Sequence, residues 1–261
     1  MNVFHRRSLV LIGLLALAGL WGCDSSDNFN FSDADIQAEV EAAAEIAAVS
    51  GPTAEAASEL IMALMGQVNG GVAPFSTGTL PTHTTEFDLG NGITGICVAD
   101  GTGVYTLDFG GTIEIEGAVT TLEGRLVVTP SVDQPATGSR YQIDFGATAI
   151  GPHGTASWSS VGTVTLDEAG EVVDFDFTIS HTVSTGAVTV TATVVVSLTS
   201  FELVVTGPLG GTVRFTLDRE TMTGTISLNR REVATVAIVD GCAVIDFLND
   251  AIQDGTLCPQ V

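Results

Sequence analysis

From about Thr79 to Val239 apolar and polar residues alternate with a period of two, a pattern sustained over too much of the chain for anything but a large sheet. In 171–183, Val173, Phe175, Phe177, Ile179 and Val183 share one side, with Asp174, Asp176, Thr178, Ser180 and Thr182 on the other. In 187–198, Val188, Val190, Ala192, Val194, Val196 and Leu198 alternate with Thr189, Thr191 and Thr193. The same alternation recurs over 104–109, 112–119, 122–129, 140–150, 155–166, 201–205, 212–217, 223–228 and 233–239. Turn chemistry separates the runs at Gly110-Gly111, Glu168-Ala169-Gly170, Gly207-Pro208 and Gly210-Gly211. Links this short make neighbours antiparallel, so the expectation is a meander of about ten strands.

Helical spacing brackets the sheet. Ser32 to Asp35 has the form of a capping box, followed by Ile36, Val40, Ala43, Ala44 and Ala47 on one stripe, with Glu39, Glu41 and Glu45 off it. Ser50-Gly51-Pro52 interrupts the pattern before Ala57, Leu60, Ile61, Leu64, Met65 and Val68 resume it. Segment 32–70 therefore reads as a helical hairpin or a broken helix. Val244, Phe247, Leu248, Ala251 and Ile252 predict a last helix within 71–261, between Cys242 and Gly255. The fold class is mainly β with flanking helices (α+β). An apolar sheet face must be hidden. It can curl inward as a barrel or half-barrel packed on the N- and C-terminal helices, lie open on them, or face lipid as a membrane barrel. Two Trp and two Tyr cannot build the aromatic girdles of a membrane barrel, so the inward face is the expectation.

The start of the chain carries an address. Arg6-Arg7 precede an apolar run from Leu9 to Leu20, too short to span a bilayer comfortably, and the run ends at Leu20-Trp21-Gly22-Cys23. This stretch resembles the lipobox of bacterial lipoproteins, with Trp21 where a small residue is usual. The resemblance implies a signal peptide over 1–22, lipidation of Cys23, and attachment to an envelope membrane, with the domain periplasmic or at the cell surface. Residues 23–31 read as a polar tether. Asp24 after the cysteine is similar to an inner-membrane retention signal.

All eight basic residues are arginine, against 31 acids, for a net charge of −23. Such a surface repels nucleic acid and anionic headgroups. Besides Cys23 there are Cys97, Cys242 and Cys258. In an oxidising compartment one bridge and one thiol are expected, with Cys242–Cys258 the preferred pair and a bridge from Cys97 to either the rival. No zinc-type spacing accompanies them.

Catalytic motifs are missing, and without lysine neither Schiff-base chemistry nor a lysine-activated serine is available. His83, His153 and His181 are scattered in the sequence, and His181 falls on an apolar strand face between Ile179 and Val183. The plain reading of His181 is a buried or edge residue with a hydrogen-bond partner, and the sharper one is a base or ligand in a cavity. Asp174 with Asp176, and Glu114 with Glu116, pair carboxylates along strands as a hydrolase would, though solvated faces explain them as well. Asp88, Asn91 and Asp100 beside glycines offer oxygen ligands to calcium but also make turns. No metal or cofactor is assigned, and ligand-binding residues stay unknown. The functional expectation is a non-catalytic binding or structural protein of the envelope, with an envelope protein or apolar ligand as partner. The alternatives are a lipophile carrier lined by the apolar sheet face and a carboxylate-based envelope hydrolase.

Overall fold

The computed structural model describes residues 31–71, 82–90, 92–115, 118–152, 154–185, 188–239 and 242–257. Cys23, Asn91, Cys258, His153 and Glu116 lie outside them, as does the signal segment. Among the described residues one helix, α1 (Asp33–Gly71), precedes the sheet. Strands β1 (His83–Gly90), β2 (Ile93–Ala99), β3 (Tyr105–Ile115), β4 (Ala118–Pro130), β5 (Ser139–Gly151), β6 (Gly154–Leu166) and β7 (Val172–Thr185) form its first half. Strands β8 (Val188–Ser197), β9 (Ser200–Thr206), β10 (Thr212–Asp218), β11 (Thr223–Leu228), β12 (Arg231–Val239), β13 (Cys242–Phe247) and β14 (Gly255–Leu257) complete it. The fourteen strands pair strictly in sequence order, all antiparallel, with β1 and β14 at the edges among the described residues. The meander is as expected. It does not close into a barrel, and it has fourteen strands where about ten were expected.

Three corrections account for the difference. First, β1 and β2 form a hairpin where turn residues dominate the sequence. Second, Gly110-Gly111 is not a turn but the middle of β3, where a Cβ on Gly111 would collide with the Gly92 carbonyl of the β2 side. These glycines permit close strand approach. Third, 242–252 is not a helix. Ile245 and Phe247 point inward and Asp246 outward, and β12 supplies the edge that the segment pairs with. The chain then turns at Asn249, whose side chain accepts the Ala251 N–H at 3.1 Å, while the Asp254 carboxylate accepts the Phe247 N–H at 2.9 Å. Leu248, placed inward by the helical reading, is 58% exposed.

α1 starts as predicted: the Asp35 N–H donates to Ser32 Oγ and the Ser32 N–H to Asp35 Oδ2. It then runs unbroken through Gly51-Pro52. An interior proline costs about 3 kcal/mol, and packing on both sides offsets it. Val40, Ala43 and Ala44 before the proline, and Ala54, Ala57, Ile61, Leu64, Met65 and Val68 after it, are all buried in the same core. A helix of 39 residues is long enough to lie along the sheet as one rod. It touches β7 to β11 and also β1.

The inner face of the sheet carries the core: Tyr105, Leu107, Leu126, Phe145, Phe177, Ile179, Val194 and Leu203 are all fully or nearly fully buried. Phe109 and Phe145 stack at 6.1 Å across two strands. Val173, expected on this face, is 47% exposed, because a bulge opposite Thr165 and Leu166 shifts the register of β7 there.

Candidate functional site

The outer face is the surface this architecture presents. Because the register is continuous, outward residues line up in rows across the strands. One row runs Asp88, Thr94, Gly110, Glu123, Thr148, Ser157, Thr182 and Thr191, from β1 to β8. The next runs Glu86, Ile96, Asp108, Arg125, Gly146, Ser159, Ser180 and Thr193. Gly110 and Gly146 bring no side chain to these rows, so the surface dips between their neighbours.

Two adjoining grooves result, of about 770 and 740 Å³, sharing Asp108 and Phe109. Together they cross eight strands, roughly 34 Å at the usual interstrand spacing. The β1–β4 end is acidic, with Glu86, Asp88, Asp108 and Glu123. Its one cation, Arg125, donates from Nε to Asp108 at 2.6 Å, and both side chains are more than half exposed. Such a pair contributes little to stability but fixes where the guanidinium stands.

The β6–β8 end carries short hydroxyls that pair across strands: Ser180 with Thr193 at 3.0 Å, Thr182 with Thr191 at 3.1 Å, and Ser184 with Thr189 at 3.0 Å. These ladders satisfy part of each hydroxyl and leave the rest to solvent or a partner. The arrangement can hold an extended hydrophilic partner by many weak polar contacts.

The residues singled out as chemistry scatter. Asp174 and Asp176 are exposed on the outer side of β7, off the grooves. Glu114 sits on the backbone of β3. Asp88 and Asp100 close turns, accepting the Gly90 N–H at 2.7 Å and the Thr102 N–H at 2.7 Å. Hydrogen bonds from Thr102 hold the Asp100 carboxyl below the usual range. Among the described residues, no group of three or more His, Cys, Asp or Glu side chains is placed to hold a metal. Cys242 is disulfide-bonded, and Cys97 is a free, buried thiol whose pKa is raised by desolvation.

His181 is buried, as its position on the apolar face foretold, but without the expected partner: neither ring nitrogen has one among the described residues. Burial pushes its pKa down to about 4.

Two polar clamps escaped the sequence reading. Glu39, expected off the apolar stripe, is fully buried and accepts the backbone N–H groups of Leu209 at 2.7 Å and Gly211 at 3.2 Å. The β9–β10 turn presents these donors to the helix, so a carboxylate is useful inside. Arg219, just past β10, donates to Glu55 at 2.6 Å and to the Ser197 carbonyl at 2.7 Å, and lies 5.5 Å from the Phe175 ring centre. Desolvation, reinforced by neighbouring Glu55, raises the pKa of Glu59 on the same helix. Neither clamp has a sequence signal, since each joins segments more than 160 residues apart.

No helix among the described residues is long and apolar enough to cross a membrane. The chain matches no protein-family model and no curated protein sequence.

Proposed function

We propose that this is a lipid-anchored protein of the bacterial envelope with a non-catalytic binding role, exercised through the outer face of its sheet. The carrying observation is the division of labour between the two faces. The apolar face is spent on α1, in a half-barrel wrap supported by the contacts of α1 with β1 as well as β7 to β11. The polar face is left open, and both large grooves lie on it. Glu86, Asp88, Asp108 and Glu123 favour a partner with positive charge at one end, and the hydroxyl ladders favour a neutral polar continuation. The lipid on Cys23 would supply the membrane contact, so the domain needs no membrane-binding surface of its own.

A photoreactive residue placed at Ser159 or Thr182 tests this in cells. Cross-links to one envelope component, formed from those positions and not from Thr225 on the far part of the same face, support the proposal. Equal labelling from all three positions, or none from the groove, contradicts it.

A further inference from the structure

We propose that the inner face carries a second binding site, formed by Trp158, Ser160 and His181, for the uncharged hydroxyl end of an apolar molecule such as a long-chain alcohol. The cluster belongs to the inward side of β6 and β7, and Ala147, Trp158 and His181 also border the first groove.

The argument starts from the register. Trp158 on β6 faces His181 on β7, and Ser160 stands one inward position along, opposite Ile179. His181 is 2% exposed and Ser160 1%. Four of their polar atoms are buried without a partner among the described residues: Trp158 Nε1, Ser160 Oγ, and both ring nitrogens of His181. Each such atom has given up its hydration with no hydrogen bond in return. The sequence had an apolar option and uses it nearby, at Val194 and Val196 on the same face. Buried polar groups in folded proteins almost always have partners, and four orphans on two adjacent strands form a local concentration.

Their surroundings define the guest. Ala147 lies across from Trp158 and Ala192 across from His181, and Ala149 and Ala156 form the next inward row. Small side chains thus border Trp158 and His181, while Ser160 stands between Phe145 and Ile179. Trp158 itself is only half-buried, so the cluster is one side chain away from solvent. These inward neighbours carry no charge, and an ionised guest would therefore sit unpaired in apolar surroundings. A neutral imidazole offers one donor and one acceptor, the indole a donor, and the serine hydroxyl either. A hydroxyl, which gives one hydrogen bond and takes others, matches that set. Burial keeps His181 in the neutral form it needs.

Trp158 is also the reporter, because the other tryptophan, Trp21, precedes Cys23. The mature protein, reconstituted in lipid nanodiscs, is titrated with a long-chain alcohol brominated close to its hydroxyl end, whose bromine quenches an adjacent indole. Saturable quenching of Trp158 is expected. The half-saturation concentration should rise at least about tenfold in His181→Leu/Ser160→Ala, as removal of these hydrogen bonds implies. The fatty acid of the same length, brominated at the matching carbon, should quench no more than it does in that variant. Ala147→Leu, which keeps the polar atoms but fills the space, should lose saturable quenching too, and it serves if the double variant fails to fold. Non-saturable quenching, equal quenching in the native protein and a folded variant, or equal quenching by the acid overturns the proposal.

Discussion

Acidification should weaken this fold through one residue. His181 titrates near 6.5 in the unfolded chain, but burial lowers it to about 4 in the native protein. Between those values the unfolded state binds a proton that the folded state refuses. Stability therefore rises with pH across that window and is lost as pH falls from about 6.5 towards 4. Full linkage over such a shift is roughly 3 kcal/mol, of which about 2 kcal/mol should be gone by about pH 4.5. Urea unfolding of the native protein and of His181→Leu, at about pH 7 and about pH 4.5, isolates the term. The native protein should lose about 2 kcal/mol more than the variant. The carboxyls of Asp35, Asp100 and Asp218, held low by hydrogen bonds from Ser32, Thr102 and Thr221, are common to both proteins and cancel. At neutral pH the variant should be at least as stable as the native protein, since it no longer buries two unpaired nitrogens. Equal acid losses in the two proteins would refute the reasoning, because His181 would then be exposed or partnered.

The helix clamps and strand glycines give further tests. Glu39→Ala should cost about 2–4 kcal/mol in urea unfolding by stranding the Leu209 and Gly211 N–H groups, and Glu39→Gln should cost less. Arg219→Ala should cost about 1–2 kcal/mol, with little recovered by lysine, which cannot serve Glu55 and the Ser197 carbonyl in the same fork. Gly111→Ala should destabilise by more than about 2 kcal/mol while Gly146→Ala stays within about 0.5 kcal/mol, since the first Cβ collides with the Gly92 carbonyl and the second stands 3.9 Å from the Trp158 carbonyl, an ordinary contact. Equal melting-temperature shifts for the two would contradict the close approach of β2 and β3. Non-reducing peptide mapping should join Cys242 to Cys258, because Ala243 pairs with Leu257 next to them in the β13–β14 register. A peptide linking Cys97 would be the wrong answer.

The meander was legible because its signal is repetitive. Alternation over 140–150 and 155–166 reappears as β5 and β6, paired residue for residue. What the sequence concealed was contextual. Whether Gly110-Gly111 is a turn or a strand interior depends on the strand beside it, and whether 242–247 is helix or strand depends on the free edge of β12. The two patterns share Val244 and Phe247, and only an available edge decides between them. Glu39 looked like a solvent-facing helix residue because the turn amides it serves lie about 170 residues later. The outer grooves were likewise invisible, for they arise where Gly110 and Gly146 fall into rows with longer neighbours. The inward placement of His181 was plain from period two. Its lack of a partner was not, since that depends on Trp158, Ala147 and Ala192 across three strand pairings.

The central claim, an envelope protein tethered by lipid with its polar sheet face free to bind, rests on what happens at Cys23. Intact-mass and N-terminal peptide analysis of the protein extracted from bacterial membranes measures this directly. The predicted product starts at Cys23, carries acyl chains on that residue, and becomes soluble when Cys23 is replaced by alanine. A mature chain that starts elsewhere, or that bears no lipid and still sediments with the membrane, would contradict the account.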